Sequence, residues 1–126
     1  GTGTGYQTAV LAELVREVYT VEVSAQLLQF ARSNLETLGY RNVWFFSGNG
    51  YYGWPSQAPF DLVLVTAAPP FLPERLVAQL APGGRMVVPI GSRAQQLNLV
   101  TKTTDGRICQ KALFSVSFVP LVDSGP

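Results

Sequence analysis

Histidine is absent from all 126 residues, and cysteine and methionine occur once each. Without an imidazole there is no Ser-His or Cys-His pair for nucleophilic catalysis, and one thiol without histidine leaves out the ordinary zinc sites. Cys109 cannot form an internal disulfide, so the expected compartment is a reducing one, the cytoplasm. Beside a hairpin turn it reads as an incidental thiol. Charge is also scarce: 13% of residues, nine Lys and Arg against eight Asp and Glu, a net +1. No basic run gathers these charges, so neither nucleic acid nor a membrane is an expected partner. Long apolar runs are missing too. "FDLVLVTAAPPF" is short and broken by proline, too little to span a bilayer, and no charged-then-apolar leader is evident.

What the chain does have is 47% apolar residues, enough for one domain burying roughly two-thirds of its unfolded surface. Strand and helix signals alternate, with no internal repeat. Ala9, Val10, Leu11, Leu14 and Val15 recur at helical spacing from Tyr6 to about Arg16, directly out of a glycine-rich run. "EVYTVEV" reads as a strand covered on both faces. Ser24 is placed to cap a helix with Leu27, Leu28, Ala31, Leu35 and Leu38 on one stripe, and Gly39 to end it in a left-handed turn. "NVWFF" is the next strand, "SGNGYYGWPSQAP" a long loop and "FDLVLVTAA" a strongly buried strand. Pro73 starts a further helix with Leu76, Val77 and Leu80 inward, stopped by Pro82-Gly83-Gly84. "RMVVPI" is a strand, and "QLNLVTKT" and "KALFSVSFVPL" flank the turn "TDGR" as an antiparallel hairpin closing one sheet edge. Such alternation predicts an α/β, Rossmann-like, doubly wound and mostly parallel sheet, with ligands at the carboxyl ends of its strands.

Two of those ends carry suggestive residues. In Gly1-Thr2-Gly3-Thr4-Gly5 the missing side chains permit either a tight turn or close approach of a ligand to the main chain. The spacing is G-x-G-x-G, and Tyr6 departs from the dinucleotide fingerprint. Glu22 closes the second strand 17 residues after Gly5, near the ~20-residue offset at which such folds set a carboxylate over ribose hydroxyls. Its other reading is a solvated strand-end glutamate beside Arg16 or Arg32. Gly48 and Gly50 bracket Asn49 at a third strand end, so a side-chain amide can face a ligand edge. Tyr51, Tyr52 and Trp54 could wall a flat ring or simply furnish an aromatic turn. Thr66 could bond into the same crevice but reads rather as structural, and Arg93, Gln95 and Gln96 could contact substrate but read rather as turning the chain.

Six stretches, "GTGTGYQTAVLAELV", "VYTVE", "LGYRNV", "GNGYYGWPSQAPFDLVLVTAA", "LPERLVAQLAPGGRMVVPIG" and "FVPL", resemble the protein-L-isoaspartate (D-aspartate) O-methyltransferase family, in order and spacing, from Gly1 to about Leu121. "GWP..APFD", the "VTAA" strand end and "FVPL" are more specific than the glycine loop, which most S-adenosylmethionine-dependent methyltransferases share. The resemblance implies S-adenosylmethionine as cofactor. Gly1, Gly3, Thr4 and Gly5 would line its methionine and ribose portion, Glu22 would hold the ribose, Val23 would lie beside the adenine, and Asn49 and Gly50 would meet the adenine amino group. The family has Asp where Asn49 stands. An amide oxygen still accepts from an amino group, but without charge assistance, worth ~1 kcal/mol. Val122 stands where the family carries a polar side chain. The family also has an N-terminal region with a substrate-holding serine and the strand that feeds the glycine loop. The expectation is therefore a partial methyltransferase domain over 1–126, a piece of a longer protein lacking its first, central strand, with a gap between the strands ending at Glu22 and Thr66.

The activity implied is methyl transfer to the free carboxylate of L-isoaspartyl and D-aspartyl residues in damaged proteins and peptides. Repair then proceeds as the ester collapses to a succinimide. A carboxylate is already nucleophilic at neutral pH, so the lack of histidine is no obstacle. No catalytic residue is expected in this chain, a monomer is expected, and little activity is expected of the 126 residues alone. Two alternatives stand beside this: a methyltransferase of the same fold with another acceptor, and a non-catalytic cofactor-binding fragment.

Overall fold

The structure is a computed structural model and describes residues 1–122; residues 123–126, the end of the expected domain, lie outside it. The chain forms two compact units, one of residues 1–50 and a second beginning at Tyr51.

In the first unit, α1 (Tyr6–Leu14), β1 (Val18–Glu22), α2 (Ala25–Thr37) and β2 (Val43–Ser47) follow in order. β1 and β2 pair in parallel, Val18 opposite Val43 and Glu22 opposite Ser47. α2 is the element its sequence specifies most completely. Ser24 Oγ accepts from Leu27 N–H at 3.3 Å, and Leu28, Ala31 and Leu35 are buried. The C-terminal end is a Schellman motif: Gly39, at φ +88°, donates to Glu36 O and Tyr40 donates to Leu35 O, both at 3.0 Å. The apolar stripe is narrower than expected, with Leu27 and Leu38 exposed.

α1 departs further. It buries Thr8 and Ala12, and leaves Val10 and Leu14 in solvent. Its apolar residues lie on several sides, so periodicity does not pick the inward face, which two small residues occupy instead. It also ends at Leu14, short of Arg16. Asn42 Nδ2 donates to the carbonyls of Ala12, Val15 and Arg16 at 3.0, 3.3 and 3.2 Å, so it meets one orphan acceptor of the last turn and two carbonyls just past it. On β1, Val18, Thr20 and Glu22 are buried and Tyr19 and Val21 only half-buried, so one face is fully covered rather than two.

In the second unit, β3 (Phe60–Leu64), β4 (Leu80–Ile90), β5 (Gln95–Lys102) and β6 (Ile108–Val116) form a four-stranded sheet in the order β3-β4-β5-β6, with α3 (Glu74–Val77) between β3 and β4 in the chain. β3 and β4 are parallel; β4–β5 and β5–β6 are antiparallel, the latter being the expected hairpin at the sheet edge. The core lies on one face: Val65, Met86, Val88 and Val100 pack with Leu76, Val77 and Leu80, and Val63 and Ile90 line the same cluster. β3 is less buried than its apolar run predicts, with Leu62 43% exposed on the opposite face. The third helix shrinks to a single turn, although Leu76, Val77 and Leu80 do point inward. Pro82-Gly83-Gly84 does not stop that helix; it lies within β4. There Phe60 faces Leu80 and Leu62 faces Arg85, so the three residues are absorbed in a bulge of the ladder.

Among the described residues β1 pairs only with β2, β3 pairs with no strand but β4, and no ladder joins the two sheets. Class and mixed strand directions are those expected of the α/β methyltransferase type. No described helix is long and apolar enough to cross a membrane.

Candidate functional site

The eight residues that the resemblance implies for the cofactor, Gly1, Gly3, Thr4, Gly5, Glu22, Val23, Asn49 and Gly50, lie in the first unit: the glycine loop ahead of α1, and the others at the carboxyl ends of β1 and β2. Glu22 organises them. The residue is 7% exposed, with Oε1 accepting from Gly3 N–H and Oε2 from Ser24 N–H, both at 2.9 Å. A carboxylate withdrawn from water requires such donors. Glu22 is therefore not the solvated strand-end residue of the alternative reading, and Arg32 stacks over the Phe45 ring at 5.1 Å instead.

The glycine loop is bound to β1 through its main chain as well. Thr2 N–H donates to Val21 O at 3.1 Å, and Gly5 N–H returns to Thr2 O at 3.0 Å. Gly3 has φ +55° and open space where a β-carbon would stand. Gly5 serves packing: it is buried at φ +96°, and a β-carbon there would lie 3.2 Å from Ala31 Cβ and 3.5 Å from Leu35 Cδ1 of α2. Gly1 and Thr4 are exposed.

The register carries the third group to the same edge. Glu22 is opposite Ser47, and Gly48 N–H donates to Glu22 O at 3.0 Å. Asn49 and Gly50 come next, both half-buried, and no atom lies within 4 Å of a β-carbon position at Gly50. Val23 is 55% exposed beside the buried Glu22, an apolar surface next to a fixed carboxylate.

Three residues in this region, and a second role of Ser24, escape a sequence reading. Ser24 both caps α2 and fixes Glu22. Thr2, Thr8 and Thr20 form a buried hydroxyl cluster, with Thr2 Oγ1 2.7 Å and Thr8 Oγ1 3.5 Å from Thr20 Oγ1. The available signal was Thr20 lying two residues from Glu22, hence on the same face of an otherwise apolar strand.

The aromatic loop belongs to the second unit. Gln79, buried, accepts from Trp54 N–H at 3.0 Å and donates to Tyr52 O at 2.9 Å, while the Arg75 guanidinium lies 4.4 Å from the centre of the Tyr52 ring. Those contacts fix the loop within its own unit. Gln95, read as a turn residue, is a buried clamp: its amide accepts from Phe118 N–H at 2.8 Å and donates to Phe118 O at 2.9 Å. Beside it, Ala68 N–H donates to Val119 O at 2.7 Å and Leu121 N–H to Ala68 O at 2.9 Å, so "FVPL" is docked on the "TAA" strand end. Thr66 is half-buried just past β3, and Val122 and Cys109 are exposed. Among the described residues no group of three His, Cys, Asp or Glu could hold a metal.

Comparison with known proteins gives this geometry a context. The family profile of protein-L-isoaspartate(D-aspartate) O-methyltransferase matches residues 1–125. The protein-L-isoaspartate O-methyltransferase of Gloeobacter violaceus is 51% identical over 128 aligned positions, covering 100% of this chain and 62% of that one. A solved protein-L-isoaspartate O-methyltransferase superposes with a TM-score of 0.87 at 36% identity, over 95% of this chain and 39% of that one. A Plasmodium falciparum protein of the PCMT type, solved in complex with S-adenosyl-L-homocysteine, gives 0.83 at 28% identity, over 98% and 64%. This chain thus spans less than two-thirds of each of these proteins. With the match running through every described residue, the chain belongs to the protein-L-isoaspartate(D-aspartate) O-methyltransferase family.

Proposed function

We propose that the intact protein transfers a methyl group from S-adenosylmethionine to the free carboxylate of L-isoaspartyl and D-aspartyl residues in proteins and peptides, in the cytoplasm and as a monomer. Residues 1–126 would form one cofactor-binding domain of it. The observation that carries this reading is the buried Glu22 carboxylate, bonded to the glycine loop at the carboxyl edge of a parallel strand pair.

The residues fit the cofactor's nucleoside. A carboxylate offers about four acceptor sites, more than the two that Gly3 and Ser24 use, which suits a pair of ribose hydroxyls. Gly3 and Gly50 leave open space where side chains would intrude. Val23 offers an apolar surface to a base edge, and the Asn49 amide an acceptor for its amino group. Gly1, Thr4 and Gly5 complete the loop on the methionine side.

The cofactor, when bound, supplies an electrophilic sulfonium methyl. The chain's part is placement: Glu22 and the loop fix the nucleoside, so that an acceptor carboxylate held by the rest of the protein meets the methyl in line. Such positioning can lower a barrier by ~7–11 kcal/mol. An acceptor already ionised at neutral pH requires no base, which agrees with a chain devoid of histidine. The adjoining backbone amide nitrogen then attacks the ester carbonyl, loses its proton and expels methanol to close a succinimide, which water reopens partly to the normal aspartyl form.

The test is radiolabelled methyl transfer by the intact protein to an isoaspartyl peptide and to its normal aspartyl isomer. Labelling of the isoaspartyl peptide alone is expected. Equal inertness of both peptides, in a preparation that binds S-adenosyl-L-homocysteine, would contradict the acceptor and leave a same-fold enzyme with another substrate or a binding module.

A further inference from the structure

β1 presents Val18, Thr20 and Glu22 on one buried face, spaced by two as a strand dictates. Glu22 meets the glycine loop at Gly3; Thr20, one pleat earlier, meets it at Thr2. The Thr20 hydroxyl lies 2.7 Å from that of Thr2 and 3.5 Å from that of Thr8, in the opening turn of α1. All three threonines are at most 9% exposed.

Packing alone does not call for threonine at this point. Valine has nearly the same shape and an equal preference for strands, and it occupies the equivalent position at Val18. A hydroxyl withdrawn from water costs free energy unless it is bonded, so its gain must come from what it holds. What it holds is the loop. Thr2 is fixed by its side chain to Thr20, by its N–H to Val21 O and by its carbonyl to Gly5 N–H. The next residue, Gly3, sits at φ +55° and directs its N–H at Glu22 Oε1. A small rotation at Thr2 would move that N–H and, with it, the carboxylate.

We propose that Thr20 is a positioning residue for cofactor binding: acting through Thr2, its buried hydroxyl holds the glycine loop in the conformation that orients Gly3 and Glu22 toward the nucleoside. It touches no cofactor itself. This rests on the cofactor reading above.

Calorimetric titration of the intact protein with S-adenosyl-L-homocysteine tests it, with Thr20→Val, Thr20→Ser and Thr2→Val compared with wild type. Thr20→Val is expected to weaken binding about tenfold, as the loss of one buried hydrogen bond would. The KM for S-adenosylmethionine should rise with it, kcat at saturating cofactor should fall far less, and the KM for an isoaspartyl peptide should stay put. Thr20→Ser, which keeps the hydroxyl, should retain most of the affinity. Thr2→Val probes the same contact from the loop side and serves if Thr20→Val does not fold. Thr2→Val combined with Thr20→Val should be little worse than either alone, because one contact is lost in each case. Wild-type affinity in Thr20→Val, or equal loss in the valine and serine variants, would overturn the proposal. A wild-type protein that fails to bind contradicts the cofactor reading itself, and the proposal with it.

Discussion

Glu22 joins three segments distant in sequence: the glycine loop through Gly3, the start of α2 through Ser24, and the β2 loop through its carbonyl to Gly48. Replacing it with glutamine keeps the shape but sets an NH2 group against one of two backbone donors. Because the site is 7% exposed, Glu22→Gln should cost about 1–3 kcal/mol of stability, read as a lower denaturation midpoint in urea, together with a clear loss of S-adenosyl-L-homocysteine affinity. A midpoint and affinity equal to wild type would mean that those two N–H bonds are not holding the loop. Glu22 was legible in sequence because its offset from the loop and its place at a strand end are one-dimensional features. Ser24's second role was not, since nothing in the spacing says that the N–H of a cap residue faces a carboxylate two residues back. The threonine cluster was hidden for a similar reason: threonine is an ordinary strand and helix residue, and only the fold sets three hydroxyls side by side.

At the scale of elements, sequence signals worked where they were local. α2 carries its own cap, stripe and terminating glycine, and it appears with both ends as written and a stripe narrowed to Leu28, Ala31 and Leu35. The hairpin of β5 and β6 announces itself with "TDGR", where Gly106 N–H closes on Thr103 O at 3.0 Å. Signals failed where a tertiary partner decides. Pro82-Gly83-Gly84 looks like a helix stop, yet pairing of β4 with β3 on either side turns it into a bulge. The apolar residues of α1 do not reveal which side packs, because Gly5 and β1 set its orientation. Gln95 looks like a turn residue and is a clamp on the chain after β6. Gln95→Leu would strand both main-chain groups of Phe118, and hydrogen exchange at the amides of Phe118 and Leu121 should quicken while those of β4 stay slow. Unchanged protection at Phe118 would show that the Ala68 bridge alone docks that segment.

For the whole molecule, the family match and the sheet topology bear on different things. The match covers nearly all of this chain but at most 64% of the three compared proteins, so activity and acceptor belong to the intact protein. The topology places loop, carboxylate and Asn49-Gly50 at one end of a two-stranded parallel ladder, a placement that does not depend on the acceptor. The resemblance in sequence already pointed to these residues, because the glycine run, Glu22 and Asn49-Gly50 are each short local patterns. The hydrogen bonds that hold the loops had to come from the fold. Amide hydrogen exchange of the intact protein, with and without saturating S-adenosyl-L-homocysteine, tests that arrangement most directly. Slowed exchange centred on Gly3, Ser24 and the amides of Gly48 to Gly50 is the predicted result. Protection that leaves these amides unchanged, with the ligand shown to be bound, would contradict it.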